Sequence, residues 1–188
     1  LSALAEARKL VPRHEGVPFE LHALPPDDPV VYRLIGDGDT VGIFQIESRA
    51  QMAILPRTRP QRFYDLVVQV GLIRPGPILG NMVHPYLRRR AGKEPVRYPH
   101  PSLQPILERT LGVPLFQEQI MRVAMVAGGF TGGQADQLRR AMDGKRGEEK
   151  MNALLAQLRA GMAKNGITGA TADEIVHAIA SFAAYGFP

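Results

Sequence analysis

Apolar residues along the chain recur mostly at the spacing of one helix face, and Gly and Pro break the pattern at short intervals. Leu1, Leu4 and Leu10 predict an amphipathic helix over residues 1–10. Prolines 12, 18, 25, 26 and 29 then predict an extended connector. Asp27 or Asp28 before Pro29 starts a short helix with Val30, Val31, Leu34 and Ile35 on its apolar side, and Gly36 stops it. After the turn Asp37-Gly38-Asp39-Thr40, the β-branched run Val41-Gly42-Ile43-Phe44-Gln45-Ile46 is the most strand-like segment. Ser48 with Gln51 has the capping-box pattern for a short helix ending before Pro56. Phe63, Leu66, Val67 and Val70 predict a longer helix from about Pro60, which Ile73-Arg74-Pro75-Gly76-Pro77 must end.

The second half reads in the same way. Residues 83–92 predict a brief helix ending in Arg88-Arg89-Arg90, and the extended Tyr98-Pro99-His100-Pro101 leads into a helix capped by Ser102. Ile120, Val123, Ala124 and Ala127 face inward on a helix over 117–127, which Gly128-Gly129 closes. Thr131 with Gln134 repeats the capping box and opens the helix carrying Leu138-Arg139-Arg140-Ala141-Met142. A further helix covers 148–165, and Thr171 with Glu174 caps a last one whose apolar side holds Ile175, Val176, Ile179 and Phe182. The expected fold class is mainly α: a multi-helix domain with short irregular connections, at most a trace of β and no internal repeat. Residues 1–35 read as a helix, a Pro-rich connector and a short helix, and 36–188 as the helical domain.

Composition narrows the function. With 188 residues the chain is one medium domain or two small packed lobes, and 45% hydrophobic with 22% charged residues excludes disorder and fibrous repeats. The absence of cysteine excludes disulfide scaffolds, thiolate zinc sites, iron–sulfur clusters and cysteine nucleophiles, and permits a reducing compartment. The longest apolar run, 66–73, is interrupted by Gln69 and Gly71, so no membrane span is expected. No signal peptide is evident; a start at Leu1 and an end at Pro188 within an apolar cluster read as a piece of a longer protein. The net charge is +5, and arginine supplies 18 of the 23 cationic residues. That balance favours phosphate-bearing partners, because guanidinium binds a phosphate through two parallel hydrogen bonds; coding bias toward Arg and Ala is the alternative.

Several motifs can be set aside. Histidines at 14, 22, 84, 100 and 177 lack the helical spacing of a zinc site. Asp37, Asp39 and Glu47 fall short of a calcium loop, whose twelfth position is Ser48 here. The glycine pairs 128–129 and 132–133 lack the residues of a phosphate loop. Arg139 and Arg140 allow two readings: a polyanion clamp, or ion pairs with Asp136 at i, i+3 and i, i+4. Arg88, Arg89, Arg90, Lys93 and Arg97 form the densest basic run, suited to a nucleic-acid backbone or to a solvated surface. Arg74 sits on a rigid Pro-Gly-Pro turn and suits either a phosphate contact or a helix-end cap. Tyr185, between Ala184 and Gly186, presents a ring beside small neighbours, for base stacking or for a core.

Six ordered blocks resemble the fingers region of bacterial C-family DNA polymerases, the replicase α subunit and its error-prone relatives. They are Gly42-Ile43-Phe44-Gln45-Ile46-Glu47-Ser48-Arg49, Ile73-Arg74-Pro75-Gly76-Pro77, Tyr98-Pro99-His100-Pro101, Phe116-Gln117-Glu118-Gln119, Leu138-Arg139-Arg140-Ala141-Met142 and Ala184-Tyr185-Gly186-Phe187. Val83-His84-Pro85-Tyr86-Leu87-Arg88-Arg89-Arg90 and Asp65-Leu66-Val67-Val68 look like the error-prone, damage-inducible branch. The resemblance implies a DNA-directed DNA polymerase as the parent, with Mg2+ held by palm carboxylates upstream of Leu1 and no polymerisation by this piece alone. It implies that Arg139 and Arg140, with Lys145, clamp the triphosphate of a dNTP and that Tyr185 packs near the nascent base pair. Arg74, Gln45, Ser48 and Arg49 would line the same cleft, and Arg88, Arg89 and Arg90 would contact the template or duplex backbone. Asp143 departs from the family's usual Gly and would weaken the phosphate site unless paired with Lys145 or Arg146. Implied partners are primer-template DNA, dNTP, the palm domain joined through residues 1–35, and other replication or mutagenesis proteins, in the bacterial cytoplasm and away from membranes. The rival reading is a non-catalytic helical module that binds single-stranded nucleic acid or a protein.

Overall fold

The computed structural model describes residues 2–73, 83–142 and 148–183. Helices α1 (Ser2–Glu15), α2 (Pro29–Gly36), α3 (Arg49–Thr58), α4 (Phe63–Leu72), α5 (Val83–Arg90), α6 (Gln104–Leu107), α7 (Gln117–Gly128), α8 (Gly132–Met142), α9 (Glu148–Lys164) and α10 (Gly169–Ala183) follow in order. Short 3-10 turns lie at Leu21–Ala23, Pro101–Leu103 and Glu108–Thr110. The fold is mainly α, with no strand among the described residues.

Several helix ends form where side-chain chemistry directs them. Asp28 accepts from the Val30 N–H at 2.8 Å, and Pro29 needs no donor at the first position of α2. Ser48 Oγ accepts from the Gln51 N–H at 3.3 Å and opens α3. Gln51 does not reach back: its side chain is buried and accepts from Gln69 Nε2 at 2.7 Å, so only half of the capping box forms. Thr131 and Gln134 complete theirs, at 3.3 and 2.9 Å. Gly129, at φ 67°, ends α7 in the left-handed conformation that glycine adopts without strain.

Elsewhere local pattern yields to context. Residues 41–46 form successive turns rather than a strand: Ile43 N–H donates to Thr40 O at 3.0 Å, Ile46 N–H to Ile43 O at 3.2 Å, and Thr40 Oγ1 to Ile46 O at 2.6 Å. With no neighbouring strand to pair with, β-branched side chains cannot impose an extended backbone. Helix α1 runs through Pro12 to Glu15 instead of giving way to a connector there. It buries no residue, so water can satisfy the carbonyl that the proline leaves without a donor. Likewise α3 continues past Pro56 to Thr58. His100 rather than Ser102 caps the turn at Pro101, its Nδ1 accepting from the Ser102 N–H. Thr171 lies inside α10 rather than at its cap.

Two cores result. The larger draws on α4, α5 and α6 through α10, from Val68 to Ile179. The smaller joins Ile35, Ile46 and Leu55, with Ile43, Leu66 and Val70 packed against it. Helix α4 lies between them, with Leu66 and Val70 toward the small cluster and Val68 and Leu72 in the large one. Phe63, counted from sequence on its apolar face, is instead exposed. Buried Gln119 fixes the approach to α7: its Oε1 accepts from the Leu115 and Phe116 N–H groups, and its Nε2 donates to Ile106 O and Thr110 Oγ1, all within 2.9–3.1 Å. A buried amide is tolerated here because its polar atoms are partnered.

Candidate nucleotide and DNA interface

Helix α8 is anchored by buried Leu138 and Met142, which fixes where its arginines emerge. Arg139 Nε lies 3.0 Å from Asp136 Oδ1, and Arg140 Nη2 lies 2.8 Å from Asp136 Oδ2. The intrahelical pairing is therefore formed, and it concentrates positive charge, because two guanidinium groups share one carboxylate. Hydrogen bonding from Arg139, and then the charges of Arg140 and Arg139, hold the Asp136 carboxyl below its ordinary range. The Arg140 side chain remains 73% exposed, so it can turn to a larger anion at little cost in burial.

Gln45 sits on the loop before α3 at φ 67°, exposed, between exposed Phe44 and buried Ile46. Ser48 is engaged as the cap of α3, and Arg49 begins that helix with an exposed side chain. Ile46 anchors this loop to the small cluster, whereas Leu138 and Met142 belong to the large one. Arg74, Asp143, Lys145 and Tyr185 lie outside the described residues.

The three consecutive arginines of α5 have three different environments. Arg88 pairs with Glu94 at 2.7 Å and is half-exposed. Arg89 also reaches Glu94, at 3.1 Å, and donates through Nη1 to Leu111 O at 2.8 Å. Arg90 holds both oxygens of Asp65, at 3.0 and 2.9 Å, and donates to the carbonyls of Thr58 and Arg59. Arg90 and much of Arg89 are thus tied into the fold, and Arg88 is the member most open to a ligand. Glu94 is held below its usual range, first by the Arg88 hydrogen bond and then by that of Arg89.

Arg90 completes a polar seam through α3, α4 and α5. Thr58 Oγ1 bonds to Gln69 Oε1 at 2.8 Å, Gln69 continues to Gln51, and Asp65 Oδ2 also accepts from the Gln61 N–H at 3.0 Å. Burial alone would raise the Asp65 pKa; hydrogen bonds from Arg90 and Gln61, with the charges of Arg90 and Arg62, reverse it and hold the carboxyl below its ordinary value. The N-terminal segment docks on the same region, where Asp27 Oδ1 accepts from the Phe63 N–H at 2.9 Å and caps α4 from far along the chain. Burial, a hydrogen bond to Asp27 and the Asp27 and Asp65 charges push Tyr32 up to about 12, which keeps its phenol protonated.

Motif reading passed over the basic connector Arg57-Thr58-Arg59-Pro60-Gln61-Arg62, although three arginines around one proline were a visible signal. They border a cavity of about 680 Å³ with Arg90 and Asp65. Among the described residues no three acidic or histidine side chains converge as metal ligands. No described helix is long and apolar enough to cross a membrane.

A family described as the bacterial DNA polymerase III alpha subunit finger domain matches residues 1–166. Proteins named error-prone DNA polymerase match the whole chain: 55% identity over 197 residues in Anaeromyxobacter dehalogenans (strain 2CP-C), 58% over 189 in Nocardia farcinica (strain IFM 10152) and 51% over 188 in Pseudomonas fluorescens (strain ATCC BAA-477). The chain spans 17%, 16% and 18% of those relatives. With that family model matched over residues 1–166 and these relatives matched along the whole chain, the chain belongs to the finger-domain family of bacterial DNA polymerase III alpha subunits.

Proposed function

We propose that this chain is the fingers domain of an error-prone, DNA-directed DNA polymerase and that it holds the incoming dNTP during template-directed, damage-associated synthesis. The observation that carries this reading is the match of the entire chain, at 51–58% identity, to proteins of that name. Arg139 and Arg140 are the proposed triphosphate clamp, with Lys145 and Arg74 as additional cations and Tyr185 against the nascent base pair. Gln45, Ser48 and Arg49 line the approach. Within Arg88, Arg89 and Arg90, Arg88 carries the proposed DNA contact, and its two neighbours position α5. Asp136 supports the clamp by keeping two arginines together in the absence of nucleotide.

The chemistry assigned to these residues is positioning and electrostatic stabilisation. Two guanidinium groups on one rigid helix face bind the phosphates in a fixed orientation and offset negative charge that grows toward the leaving pyrophosphate. Mg2+, held by residues outside this chain, would activate the primer hydroxyl and stabilise the leaving group. Primer-template DNA, dNTP and the palm of the same polymerase are the proposed partners, together with other replication or mutagenesis proteins, and the bacterial cytoplasm is the proposed setting.

Single-turnover incorporation by the full-length enzyme carrying Arg139→Ala or Arg140→Ala tests the clamp. Each substitution is expected to lower incorporation efficiency by about 1.5–3 kcal/mol, the value of a charge-assisted hydrogen bond, with primer-template affinity unchanged. Unchanged incorporation in a folded variant would reduce the pair to an ion pair with Asp136.

A further inference from the structure

We propose that the connector between α3 and α4 binds the phosphodiester backbone of nucleic acid, with Arg57, Arg59 and Arg62 as its cations. The assay rests on the polymerase reading above, but the site is argued from its own geometry. The cavity of about 680 Å³ on this connector is bordered by four guanidinium groups and one carboxylate. That carboxylate, Asp65, already has both oxygens bonded to Arg90. Arg90 also donates to the Thr58 and Arg59 carbonyls, at 3.2 and 3.4 Å. The groups that would repel a phosphate are therefore engaged, and three exposed arginines set the sign of the potential.

Those arginines are weakly engaged internally. No ion pair is formed by Arg57 or Arg59 among the described residues, and Arg62 stands 3.9 Å from Asp65 with its side chain 70% exposed. Their backbone is nonetheless firmly placed. Arg59 caps α3 at φ 42°, its N–H bonded to Leu55 O at 2.8 Å, and buried Pro60 follows. The left-handed conformation is strained for an arginine where a glycine would adopt it freely. Arg59 Nε also donates to Pro56 O at 3.3 Å, which orients that side chain. A firmly placed backbone with long, exposed and lightly engaged cations is suited to a polyanion.

The shape favours a strand over a single phosphate. A second cavity of about 530 Å³ shares Arg59 and Gln61 with the first. The second cavity is lined by Arg33 and Arg59 as well as by Asp27 and Asp37, and Asp27 is already engaged by the Phe63 N–H. Cations thus border both cavities, an arrangement that suits successive phosphates of a chain better than one compact triphosphate.

The test uses the full-length polymerase with Arg57→Gln/Arg62→Gln and with Arg57→Lys/Arg62→Lys. Binding of a fluorescent primer-template and of a single-stranded oligonucleotide is titrated across a KCl series, and dNTP affinity is taken from single-turnover incorporation. Each lost phosphate contact flattens the dependence of log affinity on log salt by about 0.9 for duplex and about 0.7 for single strands. The Gln pair is expected to flatten the slope by about 1.8 for duplex or about 1.4 for single strands, according to which form occupies the site. The Lys pair retains the slope, and dNTP affinity is unchanged in both. Arg57→Gln alone, with half the effect, keeps the test decisive should the double variant lose stability. Unchanged slopes for both nucleic acids, or a change in dNTP affinity in their place, would overturn the proposal. Failure of the polymerase reading is separate, because it would appear as absent incorporation by the unsubstituted enzyme.

Discussion

Asp65 and Arg90 couple three helices through one pair of side chains, and the pair has a definite pH signature. The folded Asp65 carboxyl lies below its unfolded value of 3.8, so its contribution is present above that value and is lost as pH falls through the folded one. Asp65→Asn is expected to lower stability by about 2–4 kcal/mol near neutrality, since Arg90 keeps its charge and loses its partner. The same variant flattens the acid limb of a stability–pH curve below about pH 4. An unchanged acid limb measured by denaturant unfolding would place the acid sensitivity elsewhere. The sequence revealed the arginines of α5 but not their partners. Glu94 is close in the chain, whereas Asp65 and the Leu111 carbonyl are brought to them only by tertiary packing. Asp136 was legible because i, i+3 and i, i+4 spacing places it beside Arg139 and Arg140 on any α-helix.

Gln45 poses the opposite case, a residue whose backbone disfavors its own side chain. Its φ of 67° costs about 1 kcal/mol relative to glycine, and its exposed side chain has no packing that would offset this. Gln45→Gly is expected to raise the thermal midpoint slightly, and in the proposed full-length polymerase to lower the efficiency of dNTP incorporation if the side chain lines the nucleotide approach. Equal activity of the two proteins, measured in single turnovers, would remove Gln45 from that approach.

At the scale of elements, the large core depends on the close crossing of α7 and α9. Gly161 packs on the backbone of Gly128, where a methyl group would overlap the Gly128 carbonyl, and Asn165 Nδ2 donates to Ala127 O at 2.8 Å beside that crossing. Gly161→Ala gains helix propensity of about 1 kcal/mol but must separate the two helices, and a net loss of about 1–3 kcal/mol is expected in chemical denaturation. A stabilised variant would show that the crossing relaxes freely. Neither glycine could be recognised from sequence as an interhelical contact, since Gly128 reads as a helix stop and Gly161 interrupts an otherwise ordinary periodic pattern. Helix α8, with a side-chain cap and one apolar face, was legible, and α2 starts where Asp28 and Pro29 predict, but Val30, Val31 and Leu34 on its expected apolar side are exposed and only Ile35 is buried. Helix α4 was harder because it serves two cores and is apolar around much of its circumference, so periodicity alone could not choose the faces. The 41–46 turns were hidden by β-branched composition, and α1 by a proline that an exposed helix tolerates.

The whole molecule has an uneven distribution of buried and exposed apolar groups. The large cluster begins at Val68, while exposed Leu4, Leu10, Val17, Leu21, Leu24, Val30, Val31, Leu34, Val41, Phe44 and Phe63 all precede it. Such a concentration of exposed apolar groups favours self-association through the N-terminal third when the 188-residue chain is isolated. Sedimentation of that chain is expected to depend on concentration, and Phe44→Ser with Val41→Ser should weaken the dependence. Both side chains are more than three-quarters exposed, so the substitutions should leave the thermal midpoint nearly unchanged. Monodisperse sedimentation at all concentrations, without binding of an apolar dye, would show that the exposed residues do not form a cohesive patch. Loss of association in the Ser variant with the midpoint preserved would instead place the adhesive surface on the loop that carries Gln45. An oligomer of the isolated chain would then reflect that surface rather than the assembly of the proposed full-length polymerase.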